Sequence, residues 1–152
     1  MMERPYCIVP ATEAGAMVLA RRLRAADKAE VMAQGLTPEE ALLGSLRGSL
    51  WARMALLGGR PFCMWGVEAA SLIGGVGYPW LLGSPLLDRF PRDFLRESRA
   101  GLAEMLETFE RLEVFVDARY GKTARWMRWL GFVSGDPVFF GDVPFLPFER
   151  RR

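Results

Sequence analysis

The clearest pattern of apolar and polar positions lies between Glu113 and Phe132. It opens with Val114–Val116, a β-branched and aromatic run that predicts a buried strand. From Gly121 onwards apolar positions recur at about 100° per residue, which predicts a short amphipathic helix. Gly131 is a residue type that commonly ends a helix, and a further strand is predicted to follow it. The apolar face of this helix carries Trp126, Met127 and Leu130, and the opposite face carries Lys122, Arg125 and Arg128.

Two helix starts are visible in the first part of the chain. Thr12 precedes Glu13 and can cap a helix, because a threonine side chain accepts a hydrogen bond from the first helical N–H groups. The run Thr37–Glu40 combines a capping threonine, a proline at the first helical position and two acids, which predicts another start. Between them, Asp27–Gln34 has a helical pattern that Gly35 ends.

Short apolar runs separated by glycine predict the strands. Gly58-Gly59 separates two of them and suits a tight hairpin, because such turns need positive φ angles. The glycine-broken run Ser71–Gly77 predicts a bend of the kind that a β-bulge makes. After a loop, Gly83–Phe90, a long helix with three-and-four spacing is predicted from Pro91. The other predicted strands are Tyr6–Val9, Trp51–Leu57, Phe62–Val67, Tyr78–Leu82, Val138–Phe140 and Phe145–Phe148.

Composition places the chain among ordinary compact proteins. Of its 152 residues, 51% are hydrophobic and 25% are charged, so we expect a single domain over residues 1–152 with one substantial core. The net charge is +2, and the terminal Arg150–Arg152 are expected to be solvated. No run approaches the roughly 18 apolar residues of a membrane span. No secretory leader is expected, because Glu3 and Pro5 precede the first apolar run.

The chain contains no histidine. This excludes nucleophilic pairs with a histidine base, histidine general bases and most zinc sites, and no metal is expected. Two cysteines, Cys7 and Cys63, lie in apolar stretches. We expect buried free thiols in a reducing compartment, although the two could form a disulfide if the fold brought them together.

The predicted order is strand, helices, three strands, long helix, strand, short helix and further strands. In this order, and in Gly131-Phe132 after a helix of the expected length, the chain resembles the GNAT (Gcn5-related N-acetyltransferase) superfamily. The resemblance covers nearly the whole length and implies a single GNAT-like domain of α/β (α+β) class. Its sheet would be mixed, mostly antiparallel and flanked by helices. The two central strands would splay, leaving a slot for the pantetheine arm of coenzyme A beside Tyr78–Leu82.

Four sequence blocks also look like those of small phage proteins similar to internal virion protein A. This second resemblance implies a bacteriophage structural protein that acts in virion assembly, through contacts with other virion proteins or with itself. It implies the bacterial host cytoplasm during assembly, or the virion, as the location. The blocks are Trp80–Gly83, Phe94–Arg99, Val116–Tyr120 and Arg125–Phe132.

The GNAT resemblance implies a cofactor site after the fourth strand. Family enzymes hold the pyrophosphate of coenzyme A with backbone N–H groups of a glycine-rich loop that opens a helix. Here the loop contains Pro85 and Pro91, which lack that group, and no Gly-x-Gly. The slot itself could be filled by bulky side chains such as Trp80 and Tyr120. If a cofactor binds, the expected contacts are Trp80, Leu81, Leu82, Gly83, Arg89 and Arg92.

The asparagine and the tyrosine that the family uses at its active site are both absent. Its asparagine, eleven residues before Gly131, is Tyr120 here, and its tyrosine acid, four residues before Gly131, is Met127. A substitute acid must protonate the departing thiolate, and a base must accept a proton from the incoming amine. The candidates are Tyr120 or Tyr78 as the acid, and Glu68 or Asp117 as the base, where each carboxylate could equally be a solvated strand-end acid.

Two functions remain open after these observations. The altered loop and the missing family residues favour an assembly protein with a degenerate acyl-CoA site and no bound cofactor. The alternative is an active N-acetyltransferase that transfers acetyl from acetyl-CoA to an amine of a protein or small molecule. Nucleic acid is not an expected partner, because Trp126 and Trp129 should pack their helix onto the sheet instead of stacking on bases. The aromatic end, Phe139–Phe148, should be core or a surface for a partner subunit.

Overall fold

The computed structural model describes residues 4–152, which form five α-helices and eight β-strands. The helices are α1 (Glu13–Ala20), α2 (Ala25–Ala33), α3 (Pro38–Gly48), α4 (Pro91–Thr108) and α5 (Gly121–Trp129). The strands are β1 (Cys7–Pro10), β2 (Ser49–Leu57), β3 (Arg60–Ser71), β4 (Val76–Gly83), β5 (Arg111–Asp117), β6 (Val133–Ser134), β7 (Val138–Phe140) and β8 (Val143–Arg151). A 3₁₀ helix, Pro85–Arg89, lies between β4 and α4.

The strands join in the order β1-β2-β3-β4-β5-β8-β6, with β7 also paired to β8. The β4–β5 pair is parallel, whereas β1–β2, β2–β3, β5–β8, β6–β8 and β7–β8 are antiparallel. The predicted class, a mixed and mostly antiparallel sheet flanked by helices, is therefore confirmed. The long ladder between β5 and β8 shows why the predicted last strand, Phe145–Phe148, was too short: it continues to Arg151.

Packing divides the chain into two compact units. The first runs to Glu68 and takes in Trp80–Phe94, and the second comprises Ala69–Pro79 and Leu95–Arg152. The single-domain organisation stays a prediction. The first unit buries both faces of its strands, because neighbouring residues of a strand point to opposite sides. Met54 and Met64 pack in one cluster with Leu19 and Leu42, and their neighbours Ala55 and Cys63 pack in the other with Tyr6 and Phe62.

Both predicted helix caps are present. Thr12 Oγ1 accepts a hydrogen bond from Gly15 N at 3.0 Å, and α1 begins at the next residue. Thr37 and Glu40 form a reciprocal capping box at the start of α3, with Oγ1 of the threonine 3.1 Å from Glu40 N. These contacts satisfy N–H groups that would otherwise lack acceptors at a helix start.

Glycine sets two of the tight connections. Gly58 and Gly59 have φ angles of 57° and 78°, which confirms the predicted hairpin between β2 and β3. The predicted bend over Ser71–Gly77 is wrong in detail: β3 continues to Ser71 and β4 begins at Val76, so the glycines form a turn between two strands. The strands are longer than predicted because they are paired, and the apolar pattern does not reveal pairing.

The second unit has an aromatic core. Phe145 and Phe148 of β8 are fully buried, whereas Phe139 of β7 is 67% exposed, so the aromatic end contributes mainly to the core. Helix α5 stops before Gly131, as predicted, and its basic residues are exposed. Trp129 departs from the expected packing: it is 48% exposed, and the Arg99 guanidinium of α4 lies 3.7 Å from its ring centroid.

The two cysteines are separate. Cys7 lies exposed on β1 and Cys63 is buried on β3, and β2 runs between these strands. Both are free thiols. Among residues 4–152, no helix is long and apolar enough to cross a membrane.

Two glycines of the second unit give opposite stability predictions. A Cβ atom on Gly77 would lie 2.7 Å from Cδ2 of the buried Phe109, so Gly77→Ala should lower the free energy of unfolding by about 1–3 kcal/mol. A Cβ on Gly101 of α4 would meet nothing within 4 Å, so Gly101→Ala should raise it by up to about 1 kcal/mol. Urea denaturation of both variants checks this. Equal effects of the two substitutions would contradict the packing at Gly77.

Candidate functional site

The pairing between the two parallel strands is confined to their beginnings. Val76 pairs with Arg111 and Gly77 pairs with Leu112, and in the described chain the ladder has no further residue pairs. Pro79 follows two residues later and has no N–H group to donate. A proline is tolerated in a strand where it replaces no ladder hydrogen bond. After Gly77 the β4 backbone is therefore no longer paired with β5, and β4 is released from β5 in this sense.

The last residues of β4 alternate between the two clusters of the first unit. Trp80 and Leu82 pack against the cluster that contains Leu19 and Leu42. Leu81 packs against the cluster that contains Tyr6 and Phe62. Trp80 Nε1 donates to Ser49 Oγ at 2.7 Å, and Ser49 Oγ donates in turn to the carbonyl of Ser45. The indole of Trp80 is thus held by packing and by a hydrogen bond.

Glu68 lies beside the same junction of α3 and β2. It pairs with Ser49 across the β2–β3 ladder, and its carboxylate lies against Gly48, where an added Cβ would be 3.1 Å from Glu68 Oε1. Burial raises the pKa of Glu68 above its ordinary value. The negative end of α3 also disfavours the charged carboxylate. Glu68 and Trp80, two residues predicted from sequence, therefore both lie beside Ser49.

A buried carboxylate holds the end of β4. Asp27 Oδ2 accepts from Gly83 N at 2.9 Å and from Arg24 Nε at 3.0 Å, and Asp27 Oδ1 accepts from Arg24 Nη2 at 3.1 Å. Arg24 N donates to the Gly83 carbonyl at 2.8 Å. Burial raises the pKa of Asp27, and the charge of Arg24 opposes that shift. The sequence prediction missed this pair, and its only local signal is the Arg-x-x-Asp spacing at the start of α2.

The loop after β4 uses its own backbone N–H groups. Those of Gly83 and Ser84 donate to Asp27 and to the carbonyl of Phe62, and Pro85 has none. The N–H groups of Leu86 and Leu87 donate to Ser84, at 3.3 Å to its Oγ and 3.0 Å to its carbonyl, and that of Phe90 donates to Leu87. A phosphate group therefore finds few free main-chain donors here.

An open cleft of about 620 Å³ lies against this loop. Arg22 and Arg89 line it, so it contains one residue predicted from sequence and one that was missed. Arg92, also predicted, is exposed in the first turn of α4 and does not line the cleft. The remaining lining residues are Leu23, Ser84, Pro85 and Leu86.

The acids and tyrosines of the second unit are distributed differently. Asp117 is fully buried at the end of β5 and Arg119 holds it in a fork, with Arg119 Nη2 2.6 Å from Asp117 Oδ2. Although burial acts to raise it, hydrogen bonds from Arg119 hold the pKa of Asp117 below its ordinary value, so it is a poor base. Tyr120 directly precedes α5, and the Arg119 guanidinium lies 5.8 Å from its ring centroid. Tyr78 is 38% exposed. Met127 is buried in the core.

Solved structures match the chain over nearly its whole length. An aminoglycoside acetyltransferase, AAC(6')-Ib in complex with coenzyme A, shares 17% identity with a TM-score of 0.68, over 97% of this chain and 95% of that one. A GNAT-family acetyltransferase from Bacillus anthracis shares 7% identity with a TM-score of 0.68, over 97% and 95%. The protein yncA of Salmonella typhimurium, solved with its cofactor acetyl-CoA, shares 11% identity with a TM-score of 0.61, over 97% and 94%.

This is the GNAT acetyltransferase fold. At these identities the similarity defines the fold and leaves the chemistry open. No protein-family model matches the sequence, and no curated protein sequence matches it. The predicted GNAT-like architecture is confirmed, whereas the predicted relation to phage internal virion proteins gains no support. In residues 4–152 no group of three or more acidic or cysteine side chains is arranged to hold a metal ion.

The contact between Asp27 and Gly83 makes a stability prediction. Asp27→Ala should lower the free energy of unfolding by about 3 kcal/mol, because it leaves Arg24 and the Gly83 N–H without their buried acceptor. Asp27→Asn should cost less, since its amide oxygen can still accept one bond. Asp88→Ala is the control, because Asp88 is exposed and its ion pair with Arg24 is long, at 3.5 Å. Urea denaturation at pH 7 measures all three.

The pH dependence of that stability has a defined sign. A carboxyl whose pKa is raised in the folded state binds its proton more tightly there than in the unfolded chain. The contribution of Asp27 is thus fully present below about pH 4 and is lost as the pH rises through the raised pKa. The stability difference between wild type and Asp27→Asn should fall over that window. A difference that grows with pH would show that the ion pair with Arg24 dominates.

Proposed function

We propose that this protein is an N-acetyltransferase that binds acetyl-CoA and transfers the acetyl group to an amine of a protein or small molecule. The observation that carries the proposal is the release of β4 from β5 after two residue pairs, within a GNAT fold. Released β4 backbone offers hydrogen-bonding groups to an extended ligand such as pantetheine. Neighbours of the same fold were solved with coenzyme A and with acetyl-CoA, which supports this choice of ligand.

The proposed reaction joins the amine nitrogen to the thioester carbonyl carbon and breaks its bond to sulfur. The amine must lose a proton, and the departing thiolate must gain one. Acetyl-CoA supplies the activated acyl group. The protein supplies the acid and the base, and it positions both reactants.

Glu68 is the proposed base. Its carboxylate is half-buried, no ion pair with it is present in the described part of the chain, and its raised pKa brings it closer to neutral pH. A base works best when its pKa lies near the working pH. Asp117 is a weaker candidate, because its lone pairs are used by Arg119 and its pKa is lowered. Ser49 and Trp80 hold the strand beside Glu68 in place.

Tyr120 stays the candidate acid predicted from sequence. Its phenol is the proton donor at the start of α5, where Met127 further along the same helix is buried and has no proton to give. The Arg119 guanidinium, fixed by Asp117, lies near its ring and would stabilise negative charge that develops there. Tyr78 is the alternative donor.

A second candidate function follows from the loop. Its N–H groups are satisfied internally, which favours a GNAT-fold protein that has lost its cofactor and acts through protein contacts, as in particle assembly. The solved neighbours give a phage or virion role no support. We therefore rank this function second.

Calorimetry with acetyl-CoA separates the two functions. The acetyltransferase hypothesis predicts a dissociation constant between about 1 μM and 1 mM, the range of ordinary enzyme–substrate affinities. Absence of binding at millimolar acetyl-CoA by the folded protein would reject it and leave the second candidate.

Substitution of Glu68 tests its role separately. Glu68→Gln should lower kcat by about 10²–10⁴-fold and leave the affinity for acetyl-CoA unchanged, because the amide cannot accept the proton. The activity of the wild-type protein should rise as the pH passes through the raised pKa of Glu68. This rise should be absent from the variant. Release of the free thiol, measured with a panel of amines, gives the rates. Glu107→Gln, on an exposed position of α4, is the control, and equal loss in both variants would exclude Glu68 as the base.

A further inference from the structure

The indole ring of Trp80 lies across a neighbouring strand. Trp80 belongs to β4, and its Nε1 donates to Ser49 Oγ of β2 at 2.7 Å. Because β3 lies between β2 and β4 in the sheet, the ring must pass over β3 to make this contact. Gly66 of β3 has no side chain that would block the ring there. Glu68 is the next residue on the same face of β3, because side chains alternate between the faces, so its carboxylate lies next to the indole.

Three features of this place attract positive charge. Glu68 carries a carboxylate, and no ion pair neutralises it within the described residues. Gly48, the last residue of α3, lies against that carboxylate, so the negative end of the helix dipole is directed to the same point. The third feature is the face of the Trp80 ring, because its π-electrons attract cations. The N–H of this ring is bonded to Ser49, which leaves the face as the part that a ligand can contact.

We propose that Glu68 and Trp80 bind the acceptor amine in its protonated form, as an ammonium ion; this inference rests on the proposed function. The Glu68 carboxylate accepts a hydrogen bond from the ammonium, and the face of the Trp80 ring lies against the same cation. The proton then passes to Glu68: an N–H bond breaks, an O–H bond forms, and the nitrogen lone pair becomes free to attack the thioester carbon. Trp80, which the sequence placed among the cofactor contacts, is thereby assigned to the acceptor.

The same arrangement selects among amines. A carboxylate on the carbon that bears the nitrogen would be repelled by Glu68 and by the end of α3, which carry charge of the same sign. The Ser49 hydroxyl could not compensate it, because its hydrogen is donated to the Ser45 carbonyl. Arg47 is near in sequence, but its Nε donates to Glu13 Oε1 at 2.8 Å. The site therefore fits aliphatic primary amines, such as a lysine side chain, and disfavours the amino group of free α-amino acids.

Binding of a simple ion tests the site without a cofactor. Butylammonium chloride is titrated into the full chain, and the Nε1–H signal of Trp80 is followed by NMR with isotope-labelled tryptophan. The signal is identified by its loss in Trp80→Phe. Butylammonium should shift it in a saturable way, whereas butanol and sodium chloride at equal concentration should not. Glu68→Gln should weaken the binding about 10-fold. Trp129→Leu is the matched control and should bind as the wild type does, because Arg99 already lies over the exposed Trp129 ring.

Kinetics with three related amines tests the substrate class. Norvaline is butylamine with a carboxylate on the carbon that bears the nitrogen, and norvalinamide has a neutral amide in place of that carboxylate. The kcat/KM should be at least about 10-fold higher for butylamine than for norvaline, because of charge repulsion. Norvalinamide should recover most of the loss. Acetylation of norvaline as efficient as that of butylamine would overturn the proposed substrate class.

Substitution of Trp80 separates the acceptor from the cofactor. Trp80→Leu should raise the KM for butylamine about 10-fold, and Trp80→Phe should raise it less, because phenylalanine keeps a weaker aromatic face. The affinity of both variants for acetyl-CoA, measured by calorimetry, should stay at the wild-type value. Urea denaturation confirms that each variant is folded. If Trp80→Leu does not fold, Trp80→Phe and the titration of the wild type decide the question.

The remaining outcomes distinguish this site from the proposed function. A loss of acetyl-CoA affinity in the Trp80 variants, with an unchanged KM for butylamine, would overturn the site and leave the acetyltransferase proposal standing. Butylammonium binding that depends on Glu68 and Trp80, in a protein that does not bind acetyl-CoA, would support the site and reject the acetyltransferase proposal. An equal response of the wild type to butylammonium and butanol would overturn the site whatever the activity of the protein.

Discussion

The buried carboxylate of Asp27 is the contact on which the candidate site depends. A carboxylate removed from water is stable only if charged and polar partners replace its hydration. Arg24 and the Gly83 N–H do so here, and they connect the start of α2 to the end of β4. Because Gly83 is bound at both its N–H and its carbonyl, the direction of the chain after Gly83 is fixed. In that direction the Ser84 N–H donates to the Phe62 carbonyl. The attachment of Gly83 therefore turns the N–H groups of the loop towards acceptors inside the protein.

Local signals in the sequence were sufficient to predict where helices begin and where the hairpin turns. Thr12 and Thr37 cap their helices through side chains that lie within three residues of the groups they bind. Gly58-Gly59 sets its hairpin by backbone conformation alone. Such features depend on neighbours along the chain, so a single sequence contains them. Their order, read together with Gly131-Phe132, was enough to predict the GNAT architecture.

The site could be predicted only in part, because its contacts join distant positions. Arg22 meets the loop of Arg89 across 67 residues, and nothing near Arg22 distinguishes it from the exposed Arg21. The room for the Glu68 carboxylate comes from Gly48, which an isolated glutamate at a strand end does not indicate. The predicted strands were too short for the same reason. The pairing of Arg111 with Arg151 extends β5 and β8 into polar sequence, which an apolar pattern does not indicate.

The separation of the two cysteines has a practical consequence for following motion in the first unit. Cys7 is open to reagents in the native protein, whereas burial suppresses ionisation of the Cys63 thiol and raises its pKa, so that it stays inert until its surroundings open. Cys63 lies on β3 opposite Ala55, in the cluster that contains Phe62 and Leu87. In a protein without Cys7, the rate of alkylation would time the transient opening of that cluster.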